Sequence, residues 1–268
     1  MKISCVIPTK NRCHMTLEAI ESVMRQQFFR VEIIVVDDGS TDATLAEVNT
    51  LFPDIITMRL HGVGPGRARN AGVAAATGDI LMFLDSDDLW LGNHVQQLVN
   101  VLNRGFPVAY GVAQTRHEVF GVDFLIPENG AGTEGDCFNA LLRWCFLVPS
   151  AMALKRETFQ ATGGFASLAC GEDWVFFLRL AAHFPFGFAG PEPITLRRLH
   201  PGSLCFLSDK RKLLDMISHM LTVVENEPRA TRAHCNHFKM LYDWTAHNLA
   251  QWSSIQDWYL AMLQERLI

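Results

Sequence analysis

Four short apolar runs in the first third of the chain each stop at a polar cluster, and this restricts the fold more than any other feature of the 268 residues. Ser4–Ile7 runs into Pro8-Thr9-Lys10-Asn11-Arg12. Glu32–Val36, almost wholly β-branched as suits a strand covered on both faces, runs into Asp37-Asp38-Gly39-Ser40-Thr41-Asp42. Ile55–Leu60 precedes Gly64-Pro65-Gly66, and Ile80–Leu84 stops at Asp85-Ser86-Asp87-Asp88. Helical patterns lie between them: Met15–Gln26 with Leu17, Ile20 and Met24 on one face, Ala43–Asn49 with Ser40 or Thr41 as N-cap, and a helix from the Gly64 loop to about Ala76. Strands alternating with helices predict βα units, hence an α/β fold on a mostly parallel central sheet flanked by helices. Open sheets of this kind bind ligands at the carboxyl ends of their strands, where all four polar patches fall.

The middle of the chain, about 107–199, is less regular. It shows probable strands at Val108–Val112, Ala151–Leu154 and Ile194–Leu199, and helices at Phe138–Trp144 and Trp174–His183. From about Ser208 the pattern is helical only, with Trp244, Trp252, Ile255, Trp258, Tyr259 and Leu263 near helical spacing. Asp257, Glu265 and Arg266 give that segment no strong basic face. Packing onto the rest of the chain, or a homodimer contact through these helices, is therefore expected ahead of a membrane-surface role.

Hydrophobic residues make up 49% and charged residues 19%, which describes a folded globular chain. A formal net charge of −5 argues against a nucleic-acid partner, which calls for a basic excess. No stretch has the length of uncharged apolar residues that a membrane span needs, and the six-residue apolar run after Lys2 is too short for a signal core. The seven cysteines are scattered, with no C-x-x-C pair, and suit neither a disulfide framework nor a zinc site. Small buried thiols in a reducing compartment fit best, so the expected location is cytoplasmic, with peripheral attachment at the inner membrane face left open.

VIPTKNR, IIVVDDGSTD, GPGRARNAG and ILMFLDSDD, in that order over residues 3–88, resemble the nucleotide-sugar domain of family 2 glycosyltransferases. A looser likeness continues through Gly171-Glu172-Asp173-Trp174 and Leu196-Arg197-Arg198-Leu199-His200, and ends near Ser208. The resemblance implies a GT-A-type fold over 1–207, with a nucleotide-binding half (1–105), an acceptor half (106–207) and a helical extension (208–268). It also implies inverting, hexosyltransferase-like transfer from a nucleoside-diphosphate sugar, with UDP favoured, to a saccharide or lipid-linked acceptor, in surface polysaccharide or glycoconjugate synthesis.

The residue chemistry agrees with that implication. Asp85 and Asp87 offer two carboxylates on a strand-end turn, and Mn²⁺ or Mg²⁺ commonly takes one or two such oxygens plus substrate phosphates. The family likeness makes Asp87 the principal ligand and gives Asp85 and Ser86 to the ribose, the donor or the metal's water. Asp88 needs no role beyond capping the next helix. Asp38 ends a buried strand, where a carboxylate is costly unless paired; it is either a helix cap or, as the resemblance implies, the acceptor for a uracil N3–H. Pro8, Thr9, Asn11 and Arg12 form the other wall of the base pocket, although Lys10 stands where the family often has an aromatic residue. The Gly64 loop opens a helix whose N-terminus suits anions, and Arg69 and Asn70 match the family's nucleotide-contacting pair.

Inverting transfer needs a carboxylate to take the acceptor's proton; the resemblance assigns Asp173, with Glu172 orienting the site or contacting the acceptor. Arg197, Arg198 and His200 are cations placed to cover the diphosphate, with at least one arginine, Arg197 or Arg198, on phosphate, and His200 is a candidate third metal ligand. Two other readings are a sugar nucleotidyltransferase, which would carry a Gly-rich loop with a lysine after the first strand, and a non-catalytic sugar-nucleotide-binding protein.

Overall fold

The computed structural model describes residues 1–27, 30–207 and 209–265. The chain runs β1 (Ile3–Thr9), α1 (Cys13–Met24), β2 (Val31–Asp37), α2 (Thr44–Leu51), β3 (Ile56–Arg59), α3 (Pro65–Ala75), β4 (Ile80–Phe83), β5 (Leu89–Trp90), α4 (His94–Asn103), β6 (Val108–His117) and β7 (Val122–Ile126). It continues α5 (Phe138–Arg143), β8 (Met152–Lys155), α6 (Arg156–Thr162), α7 (Glu172–His183), β9 (Phe186–Leu199), α8 (Leu204–Leu207), α9 (Lys212–Glu225), α10 (Arg232–Asn248) and α11 (Ile255–Gln264).

One mixed sheet organises the described residues, in the order β3-β2-β1-β4-β8-β6-β9-β5, with β7 pairing the outer half of β6. The first four strands are parallel, as are β6 and β9, whereas β8, β5 and β7 are antiparallel to their neighbours. Register places Thr9 beside Asp37, and the amide of Leu84 donates to Val6 C=O, so the loops after β1, β2 and β4 emerge together at one edge.

Period-two alternation divides the core between the two faces of the sheet. Val6, Ile34, Val36, Leu81 and Phe83 face α3 and α7, while Cys5, Ile7, Ile33, Val35 and Met82 face α1 and α4. Helix α3 lies unusually close to the sheet, because a Cβ on Gly72 would sit 2.3 Å from a Val6 methyl. That approach brings the start of α3 over the ends of β1 and β2.

The sheet departs from the sequence reading in its second half. Val108–Val112 extends to His117 and turns back as β7, and the strand ending at Leu199 begins at Phe186. Neither strand shows clean alternation, since both change neighbours along their length. Helix α2 is also capped differently: the Asp42 carboxylate, and neither Ser40 nor Thr41, accepts the Thr44 amide. Ser40 is spent elsewhere, its hydroxyl accepting the Asn11 amide.

The expected boundary falls at Ser208, outside the described residues. Beyond it, Leu213, Met216, Ile217, Phe238, Leu241, Trp252 and Trp258 join the same core as Phe176 and Phe177. The Trp258 indole donates to Thr245. The aromatic stripe thus faces inward, although Arg266 and the side chains of Tyr259 and Leu263 lie outside the described residues. Among the described residues no helix is long and apolar enough to cross a membrane.

Candidate active site

The turn after β4 is closed by the Asp88 amide donating to Asp85 C=O at 2.9 Å, and its three carboxylates take three different surroundings. Asp85 Oδ1 accepts from Arg69 at 2.5 Å. Asp87 Oδ2 meets Arg12 Nη1 at 2.9 Å and His200 Nε2 at 3.2 Å. Asp88 is buried and accepts from the Ser150 hydroxyl at 2.5 Å and the Arg198 amide at 3.0 Å. Burial alone would raise the Asp87 carboxyl, but the hydrogen bond from His200 and the charge of Arg12 bring it below its ordinary value. Burial, followed by repulsion from Asp87 and Asp85, pushes Asp88 up to about 8. Asp88 is thus a strut between β4 and β9, and does not cap the following helix, whose N-cap position is Asn93. Ser86 Oγ is buried without a hydrogen-bond partner among the described residues.

Across from this turn, Gly171 in the left-handed region (φ 67°) starts α7 and sets Glu172 and Asp173 at its head. Arg69, buried in α3, bridges the two sides: Nη1 reaches Glu172 Oε1 at 2.7 Å, Nη2 reaches Asp85, and the guanidinium lies 5.1 Å from the centre of the Phe165 ring. Burial, then the neighbouring Asp173, raises Glu172 to about 7 against the pull of Arg69. Burial likewise raises Asp173, whose Oδ1 accepts the Trp174 amide at 2.8 Å. Its Oδ2 makes no hydrogen bond to another described residue, and a half-buried carboxylate with a raised pKa and a free oxygen is suited to proton abstraction.

On the opposite flank, the loops after β1 and β2 are stitched together. Asn11 adopts φ 53°, tolerable for Asn, and its side chain accepts the Thr41 amide at 2.7 Å. Thr9 bonds Thr16 at 2.7 Å, and Pro8 pairs in register with Val36. Arg12 joins Asp87 to Gly202 C=O at 2.9 Å, so it links the acidic turn to the loop after β9. Asp37 closes its own turn by accepting the Ser40 amide. Asp38 accepts the amides of Val63 and Gly64 at 2.7 and 2.8 Å, which pins the Gly64 loop beside the Pro8–Arg12 wall. Lys10 is exposed, and its Nζ lies 3.6 Å from where a Cβ on Gly62 would be.

Three predicted contacts are arranged otherwise than the sequence suggests. The Asn70 amide is committed at both ends to Phe165, at 2.9 Å each, so it clamps the loop before α7. His200 Nδ1 accepts the Gly202 amide, so its Nε2 carries the proton shared with Asp87; in this arrangement it holds Asp87 and offers no lone pair to a metal. Arg198 reaches Glu18, Asp87 C=O and Asp88, and its buried Nη2 has no hydrogen-bond partner among the described residues. Arg197 makes no side-chain hydrogen bond to another described residue, and its charge acts on Asp88 and Asp173. Ser150, Glu18 and Phe165 were not singled out from sequence, because their partners are 62 to 180 residues away.

Among the described residues no group of three or more His, Cys, Asp or Glu side chains forms a ready metal cage. Asp87 Oδ1 and Asp85 Oδ2 nevertheless make no hydrogen bond to another described residue. Two hard oxygens on one turn fit a Mg²⁺ or Mn²⁺ ion whose remaining positions go to phosphate and water.

Comparison with known proteins agrees with this layout. The chain is 35% identical over 173 residues, 60% of its length, to an uncharacterized glycosyltransferase of Nostoc sp., and spans 52% of that relative's length. It is similar in structure to Staphylococcus aureus TarS (1–349) in complex with UDP-GlcNAc, with a TM-score of 0.68 and 19% identity, over 90% of this chain and 71% of that one. It is likewise similar to the mannosyltransferase PcManGT of Pyrobaculum calidifontis in complex with GDP-Man and Mn²⁺, with a TM-score of 0.60 and 17% identity, over 98% of this chain and 79% of that one. These likenesses show the GT-A-type fold. The family model described as glycosyl transferase family 2 matches residues 4–161, from β1 into α6. The chain belongs to glycosyl transferase family 2.

Proposed function

We propose that this chain transfers a sugar, with inversion, from a nucleoside-diphosphate sugar to an acceptor hydroxyl. The observation that carries the reading is the buried Arg69 bridge, which ties an acidic strand-end turn to an acidic helix start. UDP is the favoured nucleotide, because each Asp38 oxygen accepts a single loop amide and keeps acceptor capacity for a uracil N3–H, and a relative in fold is known with UDP-GlcNAc. A saccharide or lipid-linked acceptor, in surface polysaccharide or glycoconjugate synthesis, suits the family.

Asp87 and Asp85 would hold Mn²⁺ or Mg²⁺; when bound, the ion neutralises charge on the diphosphate as the nucleotide departs. PcManGT, a relative in fold, is known with Mn²⁺. Arg12 orients Asp87, and Arg197 supplies positive charge facing the cleft. Asp173 Oδ2 accepts the acceptor's hydroxyl proton as that oxygen attacks the anomeric carbon. Glu172, fixed by Arg69, keeps the head of α7 aligned and stays outside the proton transfer.

Asp87→Ala is expected to lose metal-dependent donor turnover while keeping a folded chain, read as nucleotide release with and without Mn²⁺ alongside circular dichroism. Turnover unchanged by the substitution would remove Asp87 from the metal site. Pyrophosphate as the product would favour a nucleotidyltransferase, and donor binding without even slow hydrolysis a non-catalytic binding protein.

A further inference from the structure

Ser150 lies in a short 3₁₀ turn, Pro149–Ala151, ahead of β8, and is completely buried. Its hydroxyl accepts the Asp85 amide at 3.0 Å and donates to Asp88 Oδ2 at 2.5 Å, so one oxygen grips both ends of the four-residue acidic turn. Its carbonyl is anchored twice, by the Trp90 indole N–H at 3.1 Å and the Thr195 hydroxyl at 2.9 Å. A residue of the second half of the chain is thereby fixed from β5 and β9 and clamps the loop after β4. A hydroxyl suits this place because a single small group must both give a proton and accept one.

We propose that Ser150 is a positioning residue for the donor site: it holds the turn so that the unpaired oxygens of Asp85 and Asp87 face the metal–diphosphate. The inference rests on the functional reading above. Without the hydroxyl, the Asp85 amide and one Asp88 oxygen lose their partners, and the turn keeps only its Asp88-to-Asp85 backbone bond and the bonds from Arg198 to Asp87 C=O and Asp88. Groups that hydrogen-bond to metal-ligating residues typically change metal affinity by about 10- to 100-fold when removed.

The test is Mn²⁺ binding to the whole chain in the presence of UDP, followed by electron paramagnetic resonance of free and bound ion. Ser150→Ala is expected to weaken Mn²⁺ by about 10- to 100-fold. Ser150→Cys, close in size but with only a weak S–H donor, is expected to weaken it in the same direction, and answers the question if the alanine variant does not fold. Thr162→Val removes a buried hydroxyl of α6 that bonds only the Thr158 carbonyl, so it should lower thermal stability without altering Mn²⁺ affinity. Wild-type affinity in the folded Ser150 variants, or an equal loss in Thr162→Val, would overturn the positioning role. A wild-type chain that takes up no Mn²⁺ with UDP would instead contradict the donor-site reading, and the positioning role with it.

Discussion

Replacing Asp173 with Asn is expected to slow sugar transfer by about 10²- to 10⁴-fold, the usual contribution of a positioned general base. The substitution is nearly isosteric, and an amide oxygen can still accept the Trp174 amide at the Oδ1 position, so the head of α7 should keep its geometry. Donor binding, followed as thermal stabilisation by a nucleotide sugar, should therefore be unchanged while turnover collapses. The rate of the unaltered chain should also fall on the acid side at a pH above the ordinary carboxylate range. Asp173 is raised by burial and neighbours Glu172, itself raised to about 7, so the two titrate together and the active form is the ionised one. Near-normal transfer by Asp173→Asn would show that the base lies elsewhere.

Arg69→Met should have the largest effect on stability, a loss of about 3–5 kcal/mol in urea unfolding, because it leaves the carboxylates of Glu172 and Asp85 without their buried cation. The sign of its pH dependence follows from Glu172. Its folded value of about 7 already lies above the ordinary unfolded value of about 4.3, so the native state binds that proton more tightly. Stability from this group is present below the unfolded value and falls as pH rises toward the folded one. Removing Arg69 raises the folded value further, so the variant should lose less at pH 5 than at pH 8. A loss that is constant with pH would mean that the Arg69–Glu172 pair is electrostatically idle.

What the sequence made legible was whatever local pattern determines. The runs at Ser4–Ile7, Glu32–Val36 and Ile80–Leu84 are apolar apart from Ser4 and Glu32, which bond each other at the start of their strands; the apolar residues are covered on both faces, and the strand ends carry Thr9, Asp38 and Asp85 to one edge. Asp87 and Asp173 were recognisable from motif and placement. The bonds that hold them were not, because they join distant parts of the chain. Arg69 and Glu172 are 103 residues apart, and Asp88 and Ser150 are 62 apart. Asn70 and His200 show the corresponding limit. Each is a polar residue in the right motif, yet the tertiary structure commits its side chain to a neighbour: Phe165 for Asn70, and Gly202 and Asp87 for His200. The tryptophans after residue 208 carried a helical period but no sign of what they face, and the common core with Phe176 and Phe177 supplies that answer.

The central claim is that the cleft between Asp85–Asp87 and Asp173 moves a sugar off a nucleotide. Proton NMR of the chain with diamagnetic Mg²⁺ and a panel of α-linked UDP-sugars tests it most directly. The expected result is release of UDP from at least one donor, with the liberated or transferred sugar appearing first in the β configuration. Formation of pyrophosphate, a first product in the α configuration, or a bound donor that stays intact would contradict it.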